Sequence, residues 1–227
     1  MRLSVIIPAI NEAVSVGRAV DSAWDAGAAE VFVADGGSSD QTVQVAAERR
    51  AIVVNASPGR ARQQNAAARE ATGDVLLFLH ADNWLAGGVA EQVRTALADS
   101  RRIHGALRQR IDAAGLANRI LERGNAARVR LLGLPYGDQA IFVRKETFLA
   151  AGGFPDMALM EDVLLMQRLR RLSWPVLLPG PVCVSSRRWQ KHGVVRQTIR
   201  NWTLLAGFAV GVSPERLAGY YRRHDEP

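Results

Sequence analysis

Short, uninterrupted apolar runs recur along the first half of the chain, separated by segments with helical periodicity. The runs are residues 3–7, 31–34, 52–54 and 75–79. Continuous rather than alternating apolar residues are typical of strands that are buried on both faces. Parallel strands joined by crossover helices have this property. The pattern therefore predicts an α/β fold with a mostly parallel sheet flanked by helices.

The second half of the chain does not continue this alternation of apolar runs and helical segments. This change predicts a C-terminal half with a mixed arrangement of strands and helices. The chain of 227 residues shows no internal repeat and no linker, so we expect one domain. Asn11 and Ser213 are predicted to cap helices, the second with Pro214 behind it. The predicted strands are 104–111, 139–143 and 175–178, and the predicted helices are 115–132, 161–171, 194–205 and 214–223.

Arginine supplies almost all of the positive charge, because only Lys145 and Lys191 are lysines in a chain of net charge +7. Guanidinium groups suit phosphates and carboxylates, so nucleic acid, anionic membranes and phosphorylated small molecules are all candidate partners. The arginines are dispersed and no recognised motif organises them, so we expect no nucleic-acid partner. With 48% hydrophobic and 22% charged residues, a disordered chain is excluded.

Cysteine content and apolar run length bear on the compartment. Cys183 is the single cysteine, which excludes an internal disulfide and a cysteine-based zinc site. No signal peptide is visible, and neither residues 3–7 nor residues 202–214 are long enough to span a bilayer. We expect a cytoplasmic protein.

The loops that follow the predicted strands carry the candidate chemistry, because ligands of such sheets bind outside the carboxyl ends of the strands. Residues 8–12 follow the first strand and contain no glycine, which excludes a dinucleotide fingerprint there. Asp35 ends the second strand and precedes Gly36 and Gly37. It could accept hydrogen bonds from a nucleobase or a ribose, while residues 37–40 suit either a ligand loop or a tight turn.

His80 and Asp82 follow the most apolar strand. Residues two apart on an extended segment point the same way, so both side chains could face one divalent cation. Oxygen ligands suit Mg²⁺ or Mn²⁺, and an imidazole favours Mn²⁺. A structural role for His80 is the alternative, and Asp82 is the stronger metal candidate.

Glu161 and Asp162 open a predicted helix behind a Gly-Gly-Phe-Pro segment. Acidic residues are common in a first helical turn because of the helix dipole. Beside a metal-binding carboxylate, the same pair is a candidate general base.

These motifs together resemble family 2 glycosyltransferases of the GT-A fold. The resemblance rests on Val-Ile-Ile-Pro-Ala-Ile-Asn-Glu at 5–12, Asp-Gly-Gly-Ser-Ser-Asp-Gln-Thr at 35–42, His-Ala-Asp at 80–82 and Glu-Asp at 161–162. It covers roughly residues 1–190 and implies a Rossmann-like, mostly parallel sheet. Leu-His-Ala-Asp at 79–82, Gly-Asp-Gln at 137–139 and Ser-Ser-Arg-Arg-Trp at 185–189 also look like a small bacterial subfamily linked to arsenosugar-type biosynthesis.

The resemblance implies roles for individual residues. Asp82 completes the family's Asp-x-Asp metal motif, where His80 replaces the first aspartate, and Asp162 matches the catalytic base, with Glu161 beside it. The implied nucleotide-binding residues are Pro8, Ala9, Glu12, Asp35, Arg60, Arg62 and Ala81. The implied acceptor or diphosphate residues are Arg187, Arg188 and Trp189.

The resulting hypothesis is an inverting, metal-dependent glycosyltransferase that uses a UDP- or GDP-linked sugar and an unidentified acceptor hydroxyl. Residues 1–100 would bind the nucleotide, residues 101–192 would bind the acceptor, and residues 193–227 would form a helical extension. A nucleotidyltransferase and a catalytically silent nucleotide-sugar-binding module are the alternatives. The first of these typically needs a glycine- and lysine-rich phosphate loop, which the chain lacks.

The extension combines the apolar residues Trp202, Leu204, Leu205, Phe208 and Val210 with arginines at 196, 200, 216, 222 and 223. This composition is compatible with an interfacial helix on an anionic membrane. Packing on the domain or in a homodimer is the alternative.

Overall fold

The computed structural model describes residues 1–186 and 193–223. Its strands form one eight-stranded sheet with the order β3-β2-β1-β4-β7-β6-β8-β5. The strands are β1 Leu3–Ala9, β2 Glu30–Asp35, β3 Ile52–Asn55, β4 Val75–Phe78, β5 Asn83–Leu85, β6 His104–Ile111, β7 Phe142–Arg144 and β8 Val176–Val184.

Helices cover both faces of this sheet, and a 3-10 turn at Gly137–Gln139 precedes β7. The α-helices are α1 Val16–Asp25, α2 Thr42–Glu48, α3 Arg60–Glu70, α4 Val89–Leu97, α5 Leu116–Leu132, α6 Lys145–Ala150, α7 Glu161–Leu169, α8 Val194–Ala209 and α9 Pro214–Arg223.

The first four strands run parallel, as the continuous apolar runs predict. β1 pairs with β2 and with β4, and β2 pairs with β3. In this register Ala9 lies opposite Asp35, so the loops after β1 and β2 leave the sheet side by side. The α/β fold with a largely parallel sheet is confirmed.

The remaining strands make the sheet mixed. β7 runs antiparallel to both β4 and β6, whereas β8 runs parallel to β6 and antiparallel to β5. The predicted strand at 139–143 is wrong in its first half, because Gly137–Gln139 forms the 3-10 turn. The strand begins at Phe142, and β8 continues well beyond residue 178.

One predicted helix cap is wrong and the other is supported. Asn11 has a φ of 54°, and its side chain accepts a hydrogen bond from the backbone N–H of Ser39, while α1 begins only at Val16. The N–H of Arg216 lies 3.5 Å from Oγ of Ser213, and α9 begins at Pro214 as predicted.

Two apolar layers form the core, one on each face of the sheet. Alternate residues of a strand face opposite sides, so Val5 and Ile7 pack beneath α1 and α4, whereas Ile6 packs with Phe78 and Phe148 on the other face. A third cluster joins the C-terminal helices to the start of α7 through Leu204, Leu217, Met160 and Val163. None of the helices in the described ranges is long and apolar enough to cross a membrane.

Candidate active site

A cleft of about 390 Å³ lies at the edge of the sheet where β4 ends. Its walls come from several separate parts of the chain: the start of α3, the loop after β4 with the start of β5, the turn before β7, the start of α7 with the loop before it, the end of β8, and the C-terminal helices. The residues that line it include Arg60, His80, Asp82, Asn83, Tyr136, Gly137, Leu159, Met160, Asp162, Asn201, Leu204, Leu205 and Ala218.

Asp162 lies at the start of α7 with its carboxylate oriented by two backbone amides. Its Oδ2 accepts a hydrogen bond of 2.6 Å from the N–H of Gly137, and its Oδ1 lies 2.8 Å from the N–H of Val163. A helix N-terminus favours a negatively charged side chain. The carboxylate is therefore held in a defined orientation at the cleft wall.

Gly137 separates Asp162 from His80. A Cβ atom on Gly137 would lie 3.0 Å from Nε2 of His80 and 3.2 Å from Oδ2 of Asp162. Both functional groups therefore lie against the same Cα atom, although their positions are far apart in the sequence.

Asp82 and His80 line the same cleft, as the spacing of two residues predicts. Across residues 1–186 and 193–223, no three His, Cys, Asp or Glu side chains come together as a metal-binding group. Mg²⁺ at nucleotide sites is commonly held by one or two carboxylates together with substrate phosphates. The side chains present therefore fit an ion shared with a diphosphate and do not form a complete protein site.

Glu161 is only 2% exposed and is not among the residues that line the cleft. Its Oε1 accepts a hydrogen bond from Nε of Arg60, which begins α3 and lines the cleft. A buried carboxylate needs such a partner to offset its desolvation. Glu161 thereby fixes the position of Arg60.

Asp35 is 5% exposed and holds its own loop together. Its Oδ2 accepts hydrogen bonds from the backbone N–H groups of Gly37, at 2.9 Å, and Ser38, at 3.1 Å, and its Oδ1 accepts one from Oγ of Ser38. The carboxylate of Asp35 therefore stabilises the loop that follows β2.

The loop after β1 interlocks with the loop after β2. The N–H of Glu12 donates to Oγ1 of Thr42 at 2.7 Å, while the carboxylate of Glu12 accepts a hydrogen bond from Ser15. Pro8 is partly exposed at the end of β1, whereas Ala9 and Ala81 are buried. None of Pro8, Ala9, Glu12 and Ala81 is among the residues that line the described cleft.

Arg62 is not among the residues that line the cleft. Arg62 is exposed and forms an ion pair of 2.8 Å with Asp156. Arg187, Arg188 and Trp189 lie outside the described residues.

The helical cover, which we define as α8 and α9, supplies residues that the sequence analysis did not place at the site. Asn201, Leu204, Leu205 and Ala218 line the cleft. Leu204 and Leu205 were predicted as part of a membrane-facing surface, and the structure turns them inward instead. Arg200 is likewise 8% exposed, so it does not belong to an exposed basic surface.

Tyr136 and Asn83 were also missed. Burial raises the pKa of the Tyr136 phenol, and the guanidinium of Arg128 lies 3.2 Å from the centre of its ring. Tyr136 therefore stays neutral and forms part of the cleft wall. The only sequence signal for this region was the Gly-Asp-Gln motif that directly follows Tyr136.

The fold and the cleft define a nucleotide-sugar-transferase architecture of the GT-A type, and comparisons with known proteins agree. Residues 4–162 match the model of Glycosyl transferase family 2. The chain belongs to that family. A comparison with curated proteins finds no significant match.

Two solved structures illustrate the shared fold. The S. aureus TarS 1-349 complex with UDP has a TM-score of 0.63 at 16% identity, covering 82% of this chain and 60% of that one. Glucosyl-3-phosphoglycerate synthase from Mycobacterium tuberculosis, in complex with Mn²⁺, UDP and phosphoglyceric acid, has a TM-score of 0.55 at 19% identity, covering 81% and 68%. The chain thus spans less than two thirds of the length of TarS 1-349.

Proposed function

We propose that the protein is an inverting, metal-dependent glycosyltransferase that moves a sugar from a UDP- or GDP-linked donor to an acceptor hydroxyl. The observation that carries this proposal is the meeting of Asp162, His80 and Asp82 in one cleft, with Gly137 between the first two. TarS structures with UDP and UDP-GlcNAc, and a synthase structure with UDP and Mn²⁺, favour UDP over GDP.

Asp162 is the proposed general base. It removes the proton from the acceptor hydroxyl as that oxygen attacks the anomeric carbon from the face opposite the diphosphate. The bond between the anomeric carbon and the diphosphate oxygen breaks, and the diphosphate leaves with the electron pair. A single displacement inverts the anomeric configuration.

The leaving diphosphate needs positive charge near its oxygens. Arg60, held by Glu161, offers a guanidinium group that stabilises this charge. Asp82 and His80 would hold Mn²⁺ or Mg²⁺, which supplies Lewis-acid stabilisation of the departing diphosphate when bound. Arg62, Arg187, Arg188 and Trp189 remain proposed contacts of the donor or the acceptor.

The nucleoside is proposed to lie over the ends of β1 and β2, against Pro8, Ala9, Glu12, Asp35 and Ala81. The adjacent strand ends and the interlocked loops support this position. The chain would work as one domain, with residues 1–100 for the nucleotide, 101–192 for the acceptor and 193–227 as the extension. The narrower resemblance to the arsenosugar-linked subfamily stays a prediction.

A peripheral membrane contact through the extension, a homodimer and a cytoplasmic location also stay proposals. Ile199, Trp202 and Val210 are exposed apolar residues on α8 or directly behind it, which supports a contact of some kind. Salt-sensitive co-sedimentation with anionic vesicles tests the membrane; if no such binding occurs, the membrane proposal is wrong.

Thermal denaturation with UDP, GDP, CMP and their sugars, each with and without Mn²⁺, tests the proposed function. A ligand at about 100 times its Kd should raise the Tm of the native protein by about 5 to 10 °C. Hydrolysis of the stabilising nucleotide sugar then distinguishes an enzyme from a silent binding module. If none of the nucleotide sugars raises the Tm, the proposal is wrong.

Substitution of Asp82 tests the metal assignment. Asp82→Ala removes the carboxylate at this strand end, so the Mn²⁺-dependent part of the Tm shift should disappear, while His80→Ala should weaken it only in part. Unchanged nucleotide affinity in the Asp82 variant with Mn²⁺ would refute the assignment.

A further inference from the structure

The side chain of Asn83 at the cleft is buried and lacks hydrogen bonds. Asn83 is 2% exposed and is counted among the residues that line the cleft. Within residues 1–186 and 193–223, neither its Nδ2 nor its Oδ1 has a hydrogen-bond partner. A buried amide without partners destabilises the protein that carries it. We therefore expect a bound ligand to supply the missing hydrogen bonds.

The backbone of Asn83 is held firmly, so the unpaired amide does not reflect a loosely placed loop. Its N–H donates to the carbonyl of His80 at 3.0 Å, and the residue pairs with Val184 as the first residue of β5. The backbone position from which the side chain extends, directly after Asp82, is therefore fixed.

The chemistry of the amide restricts what can bind it. A diphosphate offers only acceptors and would leave Oδ1 unpaired, whereas a metal ion would engage Oδ1 and leave Nδ2 unpaired. A hydroxyl group both donates and accepts, so a pair of hydroxyls satisfies both atoms. The transferred sugar is the part of a donor that carries such hydroxyls.

The position of Asn83 in the cleft agrees with the hydrogen-bonding chemistry of its amide. In the proposed function, the sugar lies between the diphosphate near Asp82 and the base Asp162, and Asn83 lines that same cleft. We propose that Asn83 recognises hydroxyl groups of the transferred sugar and is a specificity-determining residue for the donor. This inference rests on the proposed function and adds to it the group that selects the sugar.

A test needs a variant that removes the amide without leaving a cavity. Leucine has the same branching of heavy atoms as asparagine, so Asn83→Leu removes both unpaired atoms without leaving a cavity and should raise the Tm of the ligand-free protein by about 2 to 4 °C. Asn118→Leu is the matched control: Asn118 is also buried, but its Nδ2 donates to the carbonyl of Ala114 at 2.8 Å, so this variant should lower the Tm.

Calorimetric titrations with Mn²⁺ then compare UDP alone with UDP-glucose and UDP-GlcNAc. In Asn83→Leu the Kd of UDP should stay within about twofold of wild type, while the gain in affinity or in kcat/KM that the sugar contributes should fall by about 10- to 100-fold, as expected for the loss of two hydrogen bonds. Asn118→Leu should leave both unchanged. Asn83→Ala should show the same loss and replaces the leucine variant if that variant does not fold.

The outcomes separate the two proposals. An unchanged sugar contribution in the Asn83 variants, or an equal loss for UDP alone, overturns the role of Asn83. A Tm decrease like that of Asn118→Leu also overturns it, because the amide then has partners in the ligand-free protein. If the wild type binds no nucleotide sugar, the proposed function is wrong, and the inference fails with it.

Discussion

The donor half (residues 1–100) and the helical cover meet at one cleft but are held by different kinds of packing. Val5, Ile6 and Ile7 of β1 are completely buried, with helices on both faces of the sheet. In the cover, Leu204 is buried while Trp202 is 65% exposed. Since local stability follows buried apolar contacts, the donor half forms the rigid wall of the cleft, and the cover is expected to open at a lower free energy.

The family match also separates the donor half from the helical cover. It spans residues 4–162, which include the donor half and Asp162 but stop before the cover. The proposed donor site and the proposed base therefore lie within the segment that matches the family. Asn201, Leu204 and Ala218 reach the cleft from outside that match, so we expect them to shape the acceptor side.

The largest expected effect separates chemistry from binding. Asp162→Asn preserves the shape and an oxygen that can accept from Gly137, but it removes the basicity, so transfer should fall about a hundredfold or more while UDP affinity stays unchanged. Single-turnover transfer and calorimetric binding measure the two quantities.

Glu161→Gln is the control for Asp162→Asn. It removes the charge of the partner of Arg60 and not the base, so it should cost less and should act mainly on donor KM. If Glu161→Gln is inactive while Asp162→Asn is active, the roles of the two residues are reversed. If both variants are active, this loop has only a structural role.

Acid stability should be limited by the second half of the sheet rather than by the donor half. His104 on β6 is fully buried, and burial lowers its pKa to about 4 from an ordinary value of 6.5. Between pH 6.5 and 4 the unfolded chain binds the proton and the native protein does not, so stability falls as the pH falls through that window, by about 3 kcal/mol in all.

His104→Gln cannot titrate, so its stability should depend less on pH over the same window, whatever its stability at pH 7.5. Denaturant unfolding at a series of pH values measures this slope. Equal slopes in the variant and the wild type would contradict the assignment to His104.

The sequence predicts the donor half well because its strands are recognisable on their own. Continuous apolar runs place β1 to β4 within one or two residues at each end. β5 has only three residues, too few for a pattern, and it forms because β8 pairs with it. In the segment predicted at 139–143, Gln139 is completely buried although it lies in a turn, which no local pattern indicates.

The candidate site likewise contains residues that the sequence predicts and residues that only the tertiary structure reveals. His80 and Asp82 could be predicted because loops at the carboxyl ends of strands converge, and Asp162 could be predicted because it matches the catalytic base of the family that the sequence resembles. The pairing of Glu161 with Arg60 joins positions 101 residues apart, and Leu204 reaches the cleft only through packing of the cover. Such contacts depend on tertiary structure, so sequence patterns could not reveal them.

Asp35 tests whether the donor half binds the nucleoside or only folds its own loop. Asp35→Ala should raise the Kd of the donor nucleotide by a factor equivalent to about 1.5 to 3 kcal/mol. Ser38→Ala removes one hydroxyl donor to the carboxylate and leaves Asp35 in place. If the Ser38 variant weakens binding as much as Asp35→Ala does, the effect comes through the loop; normal affinity in the Asp35 variant would move the nucleoside elsewhere.

The smallest expected effect concerns the contact that joins the two sides of the cleft at Gly137. Gly137→Ala places a Cβ atom against Nε2 of His80 and Oδ2 of Asp162, so one of these groups must shift by a few tenths of an ångström. Because misplacement of reacting groups by about 1 Å can cost a hundredfold in rate, this smaller shift should lower kcat by about tenfold with little change in Tm. Gly124→Ala in α5, where a Cβ atom meets nothing within 4 Å, is the matched control and should leave kcat unchanged. Equal kcat values in the two variants would show that the fixed spacing between His80 and Asp162 does not matter for transfer.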